Sequence, residues 1–423
     1  MENLLIKNAF VVSPENGINE ELDILIENGI IKKLCKNIDC DCKIIDAQGM
    51  YALPGLVDMH VHLRDPGQTQ KEDIFSGCKA AAAGGVTSLL AMPNTLPTVD
   101  NAETVKYIID KAKTADANVY VAASITKGLK SIEPTDIEEL KNAGAIALSD
   151  DGRPVENTKY LSDAMQKAAT LGMSVVAHCE DIFLAGKGII NQGEVSEKLG
   201  VEGIPAAAED CGTAREIALA AALDVPVHIC HVSTKTSVAL IRDAKRRGVK
   251  VTAETAPHYF SMTEKELLRA DADYRMNPPL RTQADLEAII EGLQDGTLDA
   301  IATDHAPHTV EDKSNFVKAP NGSIGMETSL AVTMTYLVKT GLITMPQLVE
   351  KMSLNPARIL GIKAGAIDVD MPADIALVNA DEQWVVDENK LHGKSKNTPF
   401  KGKTLTGKVK MTLLGGRVVF EDK

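Results

Sequence analysis

His60 and His62 stand two residues apart at the end of a short apolar run that follows Pro54 and Gly55. A strand projects alternate side chains from one face, so both imidazoles leave the same side. Two neutral imidazoles converging on a point suit a divalent ion such as zinc; for an isolated pair the alternative is two hydrogen-bonded core histidines. Four more residues of metal-binding type close apolar runs in the same manner. They are Asp151 in S-D-D-G, His178 in V-V-A-H-C-E, His231 in V-H-I-C-H and Asp304 in A-T-D-H-A-P-H. Four His and two Asp exceed what one tetrahedral ion takes, and a pair of ions bridged by a carboxylate and a hydroxide would use them all.

The elements that must carry these residues follow from hydrophobic patterning. Apolar strand candidates run over Leu56–His62, Val86–Met92, Val119–Ser124, Ala145–Ser149, Ser174–His178, Val225–His231, Val249–Glu254 and Leu298–Asp304. Helical spacing lies between most of them, as in Ile74–Ala83, Ala102–Ala115, Thr158–Leu171, Cys211–Leu223 and Val238–Arg247. Eight strand–helix units predict an α/β chain folded as a (β/α)8 TIM-like barrel. In that fold the active site lies at the C-terminal strand ends, where all six candidate ligands fall. Residues 1–52 read instead as short strands, with Asn28-Gly29 as a hairpin turn, and Ala373–Val378 and Gly407–Phe420 have the same character. The expected organisation is a small β-domain built from both chain ends, 1–52 with 366–423, around a barrel of 53–365.

Composition bounds the rest. The chain has 423 residues, 44% apolar and 25% charged, the profile of a water-soluble globular protein. A net charge of -14 argues against nucleic acid or an acidic membrane surface as partner, though a local arginine and metal site still admits a small anionic substrate. Met1–Phe10 lacks the core of a signal peptide, and no apolar run approaches about 20 residues, so the expected compartment is the cytoplasm. Seven cysteines without a regular framework read as reduced thiols, including the close trio Cys35, Cys40 and Cys42.

The stretch H-V-H-L-R-D-P-G, beginning at His60, resembles the first-strand signature of class I dihydroorotases, within the amidohydrolase superfamily. H-x-H alone points only to the superfamily; Arg64, whose planar fork suits a carboxylate, narrows it. The resemblance extends over nearly the whole chain, including the tail K-S-K-N-T-P-F-K-G-K-T-L-T-G-K-V. It implies a zinc enzyme that interconverts N-carbamoyl-L-aspartate and (S)-dihydroorotate in de novo pyrimidine biosynthesis. It also implies two Zn2+ per subunit: His60, His62 and Asp304 on one, His178 and His231 on the other, with Asp151 and a hydroxide between them. Many relatives bridge with a carboxylated lysine, but here Asp150 and Asp151 end the fourth strand and no lysine follows before Lys159. The D-D-G pattern of the family selects Asp151.

In the implied reaction the metals ionise the bridging water and polarise the scissile carbonyl, while Asp304 takes the proton and returns it to the leaving nitrogen. The family pattern places Arg64, Asn94 and His308 on the substrate carboxylate, Asn277 on the ring and His62 beside the substrate. Glu311–Gly325 reads as a mobile mouth loop, in which Asn321 and Gly322 fall on a substrate-contacting pair. The first of that pair is expected to be aromatic, so Asn321 leaves backbone contacts but removes stacking. His228, His258, His305 and His392 are expected to carry no chemistry beyond support, and Glu180 to hydrogen-bond behind His178. Allantoinase and hydantoinase or dihydropyrimidinase are the enzymatic alternatives, and a non-catalytic assembly partner is the alternative of another class. A homodimer and an association with aspartate transcarbamoylase are compatible with the resemblance and are not legible in these residues.

Overall fold

The computed structural model describes residues 3–422. The chain opens with β1 (Leu4–Ser13), β2 (Ile18–Glu27), β3 (Ile30–Cys35), β4 (Lys43–Asp46) and β5 (Tyr51–Pro54). Asn28 and Gly29 both take positive φ, 51° and 81°, in the tight turn that pairs Glu27 with Ile30, as the Asn-Gly signal predicts. The C-terminal strands β16 (Ile375–Val385), β17 (Thr404–Leu414) and β18 (Arg417–Glu421) extend the same sheet in the order β18-β17-β16-β5-β1-β2-β3, with β4 on β1. Its own core of Leu4, Ile6, Ile24, Ile26, Ile375 and Leu413 is separate from that of the barrel. The sheet takes in Tyr51–Pro54, so its edge lies just past residue 52, because β5 pairs with β16 before the chain enters the barrel.

The barrel strands are β6 (Leu56–Val61), β7 (Val86–Ala91), β8 (Asn118–Ala123), β9 (Ala147–Leu148), β10 (Ser174–Ala177), β13 (Val227–Ile229), β14 (Val251–Thr255) and β15 (Ala300–Ile301). A small parallel pair, β11 (Ile190–Asn191) and β12 (Gly203–Ile204), lies outside the barrel sequence of strands. All eight run parallel, each beside the next in the chain. The ring closes where Val61 bridges His305 and the His62 N–H donates to the His305 carbonyl at 2.8 Å. Alternate strand residues separate into two packing groups, as a period of two requires. Leu89, Ala91, Val121 and Val175 pack with helix residues such as Ile74 and Ile108, whereas Leu90, Ala122, Ala147, Val176, Cys230 and Ala300 pack with one another inside the barrel.

The helices fall where the spacing predicts them, within a few residues: Ile74–Ala83, Ala102–Ala112, Thr158–Thr170, Ala206–Leu223 and Lys235–Arg246. Side-chain caps hold several of their starts, including Asp73 on the Ser76 N–H and Asn101 on the Thr104 N–H. Among the described cysteines, Cys40 and Cys42 are joined as a disulfide and the other five are free thiols, so the reading of seven free thiols holds for five.

Gly55 makes the corner between the sheet and the first barrel strand. Its N–H donates to the Asp374 carbonyl at 2.9 Å, and a Cβ there would sit 2.1 Å from the Thr87 hydroxyl. Gly55→Ala is therefore expected to cost about 1–3 kcal/mol through overpacking, read as a lowered thermal unfolding midpoint. An unchanged midpoint would show that this corner yields.

Candidate metal centre

Strand geometry delivers the six candidate ligands to one place, and all are at least nine-tenths buried. His60 Nε2 lies 3.2 Å from Asp151 Oδ1 and 3.7 Å from Asp304 Oδ1. His62 Nε2 lies 3.1 Å from Asp304 Oδ1 and 3.5 Å from Asp151 Oδ2. On the other side, His178 Nδ1 and His231 Nε2 face each other at 2.9 Å, each about equally far from Asp151 Oδ1, at 3.5 and 3.6 Å. His60, His62 and Asp151 thus offer three donor atoms within 4.8 Å of one another, and so do Asp151, His178 and His231. Asp151 belongs to both groups. His60 Nε2 is buried with no hydrogen-bond partner among the described residues, as an imidazole nitrogen reserved for a cation would be. The donor set, imidazole nitrogen with carboxylate oxygen, fits zinc.

Asp150 is turned away from this cluster. Its carboxylate accepts from the Ile125 N–H at 2.6 Å, the Thr126 N–H at 3.2 Å and the Thr126 hydroxyl. It fastens the loop after β8, leaving Asp151 as the carboxylate that faces the histidines.

The electrostatics follow from this packing. Burial works to raise the Asp304 carboxyl, but the His62 contact and the nearby His60 hold it down at about 2. Burial likewise opposes ionisation of Asp151, and His60, His178 and His231 carry it well below the usual carboxylate range. Three residues of the site sit in the left-handed region although none is glycine: Arg64 at φ 59°, His231 at 37° and Asp304 at 49°. Such backbone is strained, and strain held by surrounding structure concentrates at functional sites.

Several supporting residues escaped the sequence reading. Glu254, at the end of β14, places Oε1 3.1 Å from His60 Nδ1 and Oε2 3.3 Å from His228 Nε2. A carboxylate behind a metal-facing histidine fixes ring orientation and raises ligand basicity. Cys230 approaches the same ring and forms a third donor group with His60 and Glu254. Asp58 accepts from the His60 N–H at 3.3 Å, the Thr303 N–H at 3.1 Å and the Thr303 hydroxyl at 2.6 Å, sewing the first strand to the eighth beside Asp304. No local signal marks these roles of Glu254 and Asp58, since the contacts of Glu254 with His60 and of Asp58 with Thr303 span 194 and 245 positions.

The substrate-side residues divide. Arg64 is buried, its Nε donating to the Pro307 carbonyl at 3.2 Å, with one terminal nitrogen 3.4 Å from His308 Nε2. Asn94 lies against the ligands themselves: its Oδ1 is 2.7 Å from His62 Nδ1 and its Nδ2 donates to Asp151 Oδ2 at 3.4 Å. Asn277 donates to Glu180 at 3.1 Å, and that carboxylate is also 3.5 Å from His178 Nε2. Glu180 therefore stands beside His178 at ion-pair distance rather than in the expected hydrogen bond. Asn321 accepts from Arg275 through its side chain at 3.0 Å and from His308 through its carbonyl at 2.9 Å. The Gly322 N–H is donated to the Arg275 carbonyl at 2.9 Å, and a Cβ at 322 would come 2.7 Å from the Ala306 Cβ and 3.1 Å from His308 Nε2. In this arrangement Gly322 contributes closeness rather than a free donor.

In this conformation the mouth segment is fastened by side chains. Arg275 donates to the carbonyls of Phe316 and Val317, Lys313 to those of Arg275 and Pro320, and Asn397 to those of Ala306 and Gly322. Backbone carbonyls that a loop would leave to water are thus held by three side chains. His305 accepts the Gly325 N–H at 3.2 Å and is structural; His392 pairs with Glu327 at 2.8 Å. His258 Nε2 is buried without a partner among the described residues.

Residues 49–237 match the family described as Dihydro-orotase-like. Over full length the chain is similar to curated proteins named dihydroorotase. It is 50% identical to that of Geobacter metallireducens, covering 99% of this chain and 100% of the relative. It is also 50% identical to that of Acetivibrio thermocellus, covering 99% of each, and 48% to that of Trichlorobacter lovleyi, covering 100% of each. Among solved structures, the L-hydantoinase (dihydropyrimidinase) of Arthrobacter aurescens superposes with a TM-score of 0.89 at 26% identity, covering 100% of this chain and 96% of that one. The dihydropyrimidinase of Brevibacillus agri gives 0.87 at 26% identity, covering 100% and 95%.

Proposed function

This chain belongs to the dihydroorotase family, and from that premise we propose that it interconverts N-carbamoyl-L-aspartate and (S)-dihydroorotate in de novo pyrimidine biosynthesis, using two zinc ions. The observation that carries the two-ion reading is that Asp151 belongs to both three-donor groups. His60, His62 and Asp304 would hold one ion, His178 and His231 the other, and Asp151 both. When bound, the zinc pair supplies a Lewis acid for the scissile carbonyl and an ionised water near neutral pH.

The chain's own residues do the remainder. Asp304, ionised and within 4 Å of both His60 and His62, accepts the proton of the attacking water and delivers it to the ring nitrogen as the C–N bond breaks. Arg64 is buried, which lowers its guanidinium to about 10, still protonated at neutral pH. With His308 it binds the substrate carboxylate. Asn94 fixes His62 and Asp151 and borders the same subsite, while Asn277 contacts the ring and Glu180 holds Asn277. Asn321 and Gly322 close the mouth over His308. The proposed partner is this small anionic substrate, with neither nucleic acid nor membrane, and the proposed compartment is the cytoplasm. No helix among the described residues is long and apolar enough to cross a membrane.

The hydantoinase reading has the structural likeness in its favour. Against it stand sequence identities near 50% to dihydroorotases over the full chain and an arginine poised for a carboxylate that hydantoins need not carry. The deciding experiment follows dihydroorotate ring opening by ultraviolet absorbance, with metal content measured on the same sample. Turnover abolished by a chelator and restored by zinc is the expected result. A metal-loaded protein active on hydantoins and inert on dihydroorotate would overturn the substrate.

A further inference from the structure

Lys71 lies in the turn between the first barrel strand and the helix Ile74–Ala83, and its backbone is tied at both ends. Its N–H donates to the Gln68 carbonyl at 2.9 Å and its carbonyl accepts from the Ser395 hydroxyl at 2.7 Å. From this anchored position its ammonium reaches His308 Nδ1 at 3.2 Å and Asp312 Oδ2 at 3.1 Å. An ammonium only donates, so Nδ1 of His308 must be the unprotonated nitrogen. On the far side of the ring, Nε2 lies 2.9 Å from the Asn321 carbonyl, which only accepts, and 3.4 Å from an Arg64 guanidinium nitrogen, which only donates; the shorter contact, with Lys71 at Nδ1, puts the proton on Nε2. The opposite tautomer would set donor against donor at Nδ1 and lone pair against lone pair at Nε2.

We infer that Lys71 is a positioning residue of the carboxylate subsite, keeping the His308 proton on Nε2 by standing between Nδ1 and the Asp312 carboxylate. Asp312 Oδ2 lies 3.6 Å from His308 Nδ1, close enough to draw a proton there once the ammonium is gone. With the proton on Nε2, His308 has one N–H, given to the Asn321 carbonyl at 2.9 Å, and the Arg64 guanidinium nitrogen lies 3.4 Å from the same nitrogen; a carboxylate that takes this N–H together with the guanidinium displaces the Asn321 carbonyl. The charged groups facing the ring agree. Burial, with Arg64, Lys71 and Lys313, pushes the imidazole down to about 3, so it is neutral and its tautomer matters. The inference rests on the reading of this pocket as the place where the substrate carboxylate binds.

The test uses the full-length protein with 15N-labelled histidine, the His308 signals being assigned by their loss in His308→Asn. Wild type and Lys71→Arg are expected to show Nε2–H and an unprotonated Nδ1. Lys71→Met is expected to protonate Nδ1 and to raise KM for dihydroorotate about tenfold, kcat changing far less, as loss of one charge-assisted contact predicts. Adding Asp312→Asn to Lys71→Met is expected to return the proton to Nε2. An Nδ1–H ring in the wild type, or a Lys71→Met protein with unaltered tautomer and KM, would overturn the inference. A wild type inert on dihydroorotate would instead remove the dihydroorotase reading, and the nitrogen signals would still decide what Lys71 does to His308.

Discussion

Replacing Asp304 by asparagine is expected to reduce turnover of dihydroorotate and of N-carbamoyl-L-aspartate alike, by about 10²–10⁴-fold, the range that one positioned acid–base group supplies. An amide keeps the shape and an oxygen donor but cannot take up a proton and return it. Because the same group takes up one proton and returns it within each direction, both directions must fall together. His60, His62 and Asp151 remain as a donor group, so metal analysis of the variant should still find zinc. Retained activity in either direction would remove Asp304 as the proton carrier. A variant without metal would reduce its role to ligation.

The second large effect concerns Arg64. Arg64→Ala is expected to cost about 2–4 kcal/mol of transition-state binding, roughly 30- to 1,000-fold in kcat/KM, expressed mainly in KM. The guanidinium is buried and held in place by the Pro307 carbonyl, so no solvent-exposed side chain stands ready to replace it. Zinc content should be unchanged, because among the described residues Arg64 makes no hydrogen bond or ion pair with a candidate ligand. Arg64→Lys should recover only part of the loss, since a single ammonium cannot present the planar fork that a carboxylate accepts. Loss of metal in Arg64→Ala would show instead that the arginine supports the metal centre.

Lys71 and Arg64 should be separable by experiment although they border the same subsite. Arg64 meets the anion directly, whereas Lys71 acts through the protonation of His308. Only substitution of Lys71 should change which nitrogen of His308 carries the proton in the absence of substrate.

Much of the architecture was legible along the chain. Short apolar runs bounded by Gly, Pro and charged residues marked the eight barrel strands, and helical spacing marked the segments between them. Asn28-Gly29 marked its hairpin. The six candidate ligands were legible for the same local reason: each closes a strand, and a barrel collects strand ends at one mouth. Strand length was less so. β9 and β15 are far shorter than their apolar runs; Asp150 takes up the Ile125 N–H just past β8, and Asp58 the Thr303 N–H just past β15.

The sequence by itself determined the barrel, the terminal sheet, the ligand types and, through H-V-H-L-R-D-P-G, the family. The family pattern selected Asp151 over Asp150, and the tertiary structure supplies the physical reason: Ile125 and Thr126 hold Asp150 away from the histidines. The tertiary structure alone placed Glu254 behind His60, Asn94 against Asp151, Arg275 across the mouth loop and Lys71 on His308. Residue patterns report on neighbours a few positions away through the periods of strand and helix. These contacts join residues 24 to 237 positions apart along the chain, and they exist only once the barrel has brought its strand ends together.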